Sequence, residues 1–234
     1  MSESEDYEIL NPGEVQFGPI DWSIVTPEEL SRRASVFSFT ANKAKERLLK
    51  VERWIALITT HIYIDHILSQ LLSENLRKPD ALMNDRRRKY YVLEKLEISE
   101  AMGWLGEPYS PIIRKVNSVR NNLAHNLIFE LPPQLERDLI RMMTPEMTQI
   151  TKETFKPKDT QSEPELGDHL LTFLVFLDIA RQSVLRLNYM SRHRDRELAK
   201  AMVNAREVLA KWQLDDDRNV VTSPAMLPRK NTEK

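Results

Sequence analysis

The sequence predicts an all-α protein, and three observations carry that reading. Only 5 Gly stand against long runs of Leu, Glu, Lys, Arg and Ala among 234 residues, and aromatics make up 7%. These are helix-forming residues, and the β-branched and aromatic enrichment of strands is missing. Apolar residues recur at spacings of three and four rather than two. The 13 Pro mostly punctuate periodic segments instead of interrupting them.

The first 25 residues hold the turn signals Asn11-Pro12-Gly13 and Gly18-Pro19 without periodicity, and read as a flexible lead-in. Thr26-Pro27-Glu28-Glu29 then starts a helix: a capping Thr, Pro at the first position and acids in the first turn. That helix is expected to run to about Lys50, bending into the next. Trp54 to Leu76 is the strongest core helix. Ile55, Ile58, Ile62, Ile64, Ile67, Leu68, Leu71 and Leu72 spread nearly all round its wheel, as in a helix surrounded by neighbours. Asp65 falls among them and needs a partner, a structural ion pair or, more pointedly, Arg120.

Lys78-Pro79-Asp80 ends that pattern. The run Arg86-Arg87-Arg88-Lys89 reads either as a solvated helix start or as a local patch for phosphate. A further helix carries Leu93, Leu96, Ile98, Met102 and Trp104 and stops between Gly103 and Gly106. Ser110-Pro111 is then expected to cap and begin the next helix. Along it Ile112, Val116, Val119, Leu123 and Leu127 form a core stripe at spacings of 4, 3, 4 and 4. Arg114, Asn117, Asn121 and His125 fall on the opposite side, with Arg120 at the border. Asn121 stands four residues before His125, within reach of its imidazole. Leu131-Pro132-Pro133 closes the segment.

Residues 134–155 give one or two weaker helices interrupted at Thr144-Pro145, and 156–164 a loop. The apolar segment 168–190, which contains Asp178, must bury itself against the preceding helices. A last helix, 193–212, places Leu198, Met202, Ala205, Leu209 and Trp212 at 4, 3, 4, 3 spacing on a charged background, a narrow stripe for the body or for a partner helix. Residues 213–234 are expected to be a disordered tail. The expected organisation is therefore a single helical domain over 26–212.

Composition narrows the function. The absence of Cys excludes disulfides, thiolate chemistry and Cys-ligated metal sites. A net charge of −1 supplies no global attraction to nucleic acid, so any such binding needs a local basic patch. The acidic N-terminus is no signal peptide, and the most apolar run, Leu170 to Ala180, is about half the length of a membrane span. A cytoplasmic protein without membrane contact is expected, and no metal or other cofactor.

Two segments together resemble the HEPN superfamily, and within it the branch of mannitol-repressor-like proteins. They are Ile62 to Leu72, with its internal Asp65, and Lys95 to Leu105 followed by Val119-Arg-Asn-Asn-Leu-Ala-His125. The resemblance covers about residues 30–130, with 165–190 as a closing helix. It implies an antiparallel helical bundle with additional C-terminal helices, and a metal-independent endoribonuclease built at a homodimer interface. On that reading His125 is general base and acid at the ribose 2′-hydroxyl, Arg120 holds the scissile phosphate and Asn121 orients His125. Asp65, Asn117 and Asn122 support them, and Arg86, Arg87, Arg88 and Arg114 are candidate phosphate contacts. The product is a 2′,3′-cyclic phosphate, and a toxin–antitoxin or defence setting with an antitoxin partner follows. The same branch includes non-catalytic regulators, so a regulatory or protein-interaction module is the alternative.

Overall fold

In the computed structural model the described residues are 18–79, 91–125, 131–155 and 163–219, the last twelve by backbone alone. They form eight helices and no strand: α1 Pro27–Ser35, α2 Ala41–Leu48, α3 Arg53–Asn75, α4 Val92–Ala101, α5 Tyr109–His125, α6 Pro133–Met142, α7 Pro145–Phe155 and α8 Leu166–Asn219. The chain divides into two compact units, Met1–Asn188 and Tyr189–Lys234, and the division falls within α8.

The first unit is organised on α3. It packs directly against α2, α4 and α5, α4 packs against α5, and α6 lies on α5. Tyr63, Ile64, Ile67, Leu68, Leu71 and Leu72 are all buried, so the wheel filled on most sides has neighbours on most sides. By length and composition alone α3 would also be long and apolar enough to cross a membrane. Here its apolar side chains meet α4, α5 and the first part of α8 in one core with Leu96, Ile112, Val116, Leu170, Phe173 and Leu174.

The single helix expected from Thr26 to Lys50 is two helices. Thr26 caps α1 as expected, its Oγ1 accepting the Glu29 N–H at 3.2 Å. The interruption at Val36–Thr40 is held by other elements. Ser38 donates its N–H and hydroxyl to the Asp178 carboxylate, at 3.1 and 2.6 Å. Its carbonyl accepts from His66 Nε2 at 2.8 Å, and the Val36 carbonyl accepts from Arg181 at 2.8 Å. Side chains of α3 and α8 thus satisfy backbone groups that a continuous helix would have paired internally.

At the centre of that arrangement lies a buried charge cluster. Arg181, fully inaccessible, donates to Asp178 Oδ1 at 2.8 Å and to Glu74 Oε2 at 2.7 Å, and Glu74 also accepts from Gln70 at 3.0 Å. Burial works against the Arg181 charge, but the hydrogen bond to Asp178 and the charges of both carboxylates outweigh it and hold the guanidinium above its ordinary value. Asn188 donates to Asn75 at 2.6 Å beside the cluster, so α8 is fastened to α3 by polar bonds as well as by its apolar face.

Three further boundaries differ from expectation. α5 begins at Tyr109, so Ser110 lies inside it, buried, its hydroxyl without a hydrogen-bond partner among the described residues; it is not a cap. The Gly106 carbonyl accepts the Tyr109 and Ser110 N–H groups instead. The segments 168–190 and 193–212 are one helix, since nothing between them breaks it, and residues 213–219, placed in the tail by composition, continue it. Ile20 and Trp22, within the lead-in, are buried.

Candidate functional site

Helix α5 is amphipathic in the way its spacing requires. Ile112, Ile113, Val116 and Val119 are buried, Leu123 is half-buried, and Arg114, Arg120, Asn121, Asn122 and His125 are exposed. Two neighbours complete the surroundings. Along α3, His61, Asp65 and Ser69 follow one another at four-residue intervals and so share one face. From α4 the buried Lys95 reaches across, donating to Asp65 Oδ1 at 2.6 Å and to Ser69 Oγ at 2.8 Å.

Between these three helices opens a cavity of about 760 Å³. Its polar lining consists of His61, Asp65, Glu94, Lys95, Asn117, Arg120 and Asn121; Ile62, Val92 and Leu93 make it apolar elsewhere, and the exposed Tyr91 also lines it. Asn117 ties two walls together: its Oδ1 lies 3.0 Å from His61 Nε2. Burial lowers the His61 pKa from its ordinary value, the Asn117 bond opposes that, and the positive charge of Arg120 adds to it. His61 is therefore neutral at pH 7.

The expected site residues separate into three groups. Arg120, Asn117, Asn121 and Asp65 come together around the cavity. Asp65 pairs with Lys95 and not with Arg120. The Arg120 guanidinium donates to Asn121 Oδ1 at 3.3 Å and has no carboxylate partner among the described residues, which leaves its remaining N–H groups for solvent or a ligand. The Asn121 oxygen thus faces Arg120 rather than the imidazole four residues on. His125 is exposed in the last turn of α5 and does not line the cavity. It lies ~7.5 Å further along the axis than Arg120 and about 140° round it, at 1.5 Å and 100° per residue. Arg114, outside the cavity lining, donates to Glu100 Oε2 at 2.6 Å and stands 4.0 Å from Glu97. Asn122 is exposed on the same helix. Arg86, Arg87 and Arg88 lie outside the described residues.

Sequence reasoning passed over His61 and Lys95. The signal for His61 was there: three polar residues at four-residue spacing along an otherwise apolar helix mark a wet face. Lys95 had no comparable signal, because the face it occupies on α4 depends on which neighbour α4 meets.

No group of His, Asp and Glu among the described residues is placed to hold a metal ion. Fold and site together define a helical bundle with a partly apolar cavity between its central helices, lined by the cations Lys95 and Arg120 and the carboxylates Asp65 and Glu94. Comparison with protein-family models, with curated proteins and with solved structures yields no match.

Proposed function

We propose that the protein is a metal-independent endoribonuclease of the HEPN type, working as a homodimer. The observation that carries this reading is Arg120: a guanidinium lining a cavity beside Lys95 and His61, free of carboxylate partners among the described residues, on the same helix as an exposed His125. A planar fork of N–H donors suits a phosphodiester and the charge that develops on it as the bond breaks. An imidazole, able both to accept and to donate a proton, suits transfer of the 2′-hydroxyl proton. Both groups come from this chain, and the 2′-hydroxyl is the nucleophile, so the step draws on no metal ion.

The divergence of Arg120 and His125 around one helix favours a site shared between copies. A two-fold partner presenting the same α5 surface brings the His125 of one copy toward the Arg120 of the other. The test is cleavage of a labelled single-stranded RNA in EDTA. Wild type is expected to produce 2′,3′-cyclic phosphate ends, and Arg120→Ala and His125→Ala each to lose about a hundredfold or more in rate with the fold intact. Mixing the two inactive variants is expected to restore part of the activity, because one of the two sites in a mixed dimer is then whole. A wild-type protein that leaves all RNA intact, or a strictly monomeric mass by light scattering, removes this reading.

The second reading, a regulatory or protein-interaction module, has one observation in its favour. His125 stands outside the cavity that Arg120 lines, so a mixed polar and apolar pocket forms within one copy without it. Tight binding of a partner with no RNA cleavage is its signature.

A further inference from the structure

We infer that His61 is a second proton-transfer residue of this site, taking the 2′-hydroxyl proton while His125 delivers a proton to the leaving group; the inference rests on the ribonuclease reading above. It grows from the polar line on α3, of which His61 itself lies outside the segment Ile62 to Leu72 that carries the resemblance to HEPN proteins. His61 lines the same cavity as Arg120 and is held from α5 by Asn117. Because the Asn117 atom at 3.0 Å is the amide oxygen, His61 Nε2 carries the hydrogen and donates it. The basic lone pair is then on Nδ1, which has no hydrogen bond among the described residues. Fixing one imidazole nitrogen as donor to leave the other as base is how a neighbouring side chain selects the reactive tautomer.

The groups around His61 fit that role. Lys95 from α4 is neutralised by Asp65 of His61's own helix, at 2.6 Å. Arg120 from α5 has no carboxylate bonded to it among the described residues, and Glu94 of α4, which accepts from the Tyr91 N–H, brings a second negative charge to the lining. Arg120 and burial both favour the neutral imidazole, the form a base requires. The other histidines removed from solvent differ: the part-buried His66 donates to the Ser38 carbonyl, and the buried His169 is on α8 and does not line this cavity.

The step balances without any further reagent. His61 Nδ1 accepts the proton of the 2′-hydroxyl as the 2′-oxygen forms a bond to phosphorus. The bond from phosphorus to the 5′-oxygen breaks, and that oxygen takes a proton from protonated His125. The products are a 2′,3′-cyclic phosphate and a 5′-hydroxyl, with the proton returned from His61 to His125 through solvent. Arg120 holds the non-bridging oxygens throughout.

The experiment measures kcat and KM on a labelled oligoribonucleotide across pH 5 to 9, with full-length wild type, His61→Gln, His61→Asn, Asn117→Ala and His125→Ala. Removing a general base costs about a hundredfold or more, so both His61 variants are expected to lose at least that in kcat with KM within about threefold. Loss of the acidic limb of the kcat profile is expected with it, and a merely structural role would not move that limb. Asn117→Ala is expected to lower kcat less than the His61 variants do, since it loosens the base without removing it. Thermal melts exclude misfolding, and Gln and Asn each keep a side-chain donor for Asn117. If wild type cleaves and the His61 variants cleave within threefold of it, the inference is overturned and the ribonuclease reading stands. If wild type cleaves no RNA, both fall.

Discussion

Arg181 shows what a single residue does for this fold. It sits with no accessible surface between two carboxylates, Glu74 on α3 and Asp178 on its own helix, and also holds the Val36 carbonyl. Replacing it by Met keeps most of the volume but leaves two buried acids and an orphaned carbonyl. Breaking a buried pair in this way costs on the order of 3–5 kcal/mol. Arg181→Met is therefore expected to lose about that much in urea unfolding, and a loss under 1 kcal/mol would show that water relieves the cluster. Lys should recover only part, since its single ammonium cannot span three acceptors. None of this was legible beforehand. Asp178 stood out inside an apolar run, but the sequence does not say that the interruption between α1 and α2 would bring Ser38 to it.

Helices pack here at distances that particular residues permit. Gly167, in the first turn of α8, lies so close to the end of α2 that an added Cβ would stand 2.3 Å from the Leu48 carbonyl oxygen. A backbone oxygen cannot swing away as a side-chain tip can. Gly167→Ala must therefore push α8 off α2, and is expected to cost roughly 1–3 kcal/mol by chemical denaturation. Gly106→Ala, with nothing within 4 Å, is the matching control and should change stability by less than about 0.5 kcal/mol. At the same scale most elements could be read from the chain. The 23-residue α3 announces itself by apolar residues on every side, and α1 by Thr26, Pro27 and two acids. What misled was the stretch 26–50, where local propensity favours one helix and side chains from distant elements impose two.

Across the whole molecule, titration of buried groups links stability to pH. Burial lowers the pKa of His61, of His66 and of His169, whose Nδ1 is buried without a hydrogen-bond partner among the described residues. Unfolding returns each to its ordinary value of 6.5, so below that pH the unfolded chain binds protons that the folded one refuses. Stability from these groups is complete above 6.5 and declines as the pH falls. Glu74, raised by burial, acts in the opposite sense from 4.5 upward, because the folded state holds its proton longer. Tm is expected to fall between about pH 7.5 and about pH 5.5. The fall should be smaller in His66→Gln and His169→Gln, even if each variant is less stable overall. A Tm that rises over that interval would mean that Glu74 outweighs the histidines.

The sequence by itself determined that this chain is helical, where most helices lie, and that Asn121 and His125 project from the polar side of α5 with Arg120 at its border. These follow from periodicity and capping, which act within a few residues of the chain. Only the tertiary structure decided that Asp65 pairs with Lys95, that Arg114 is taken by Glu100, and that His61 shares a cavity with Arg120. Each of those pairings joins different helices. Which side chains meet across a helix interface depends on rotation and offset between the helices, and the packing of the whole core sets both.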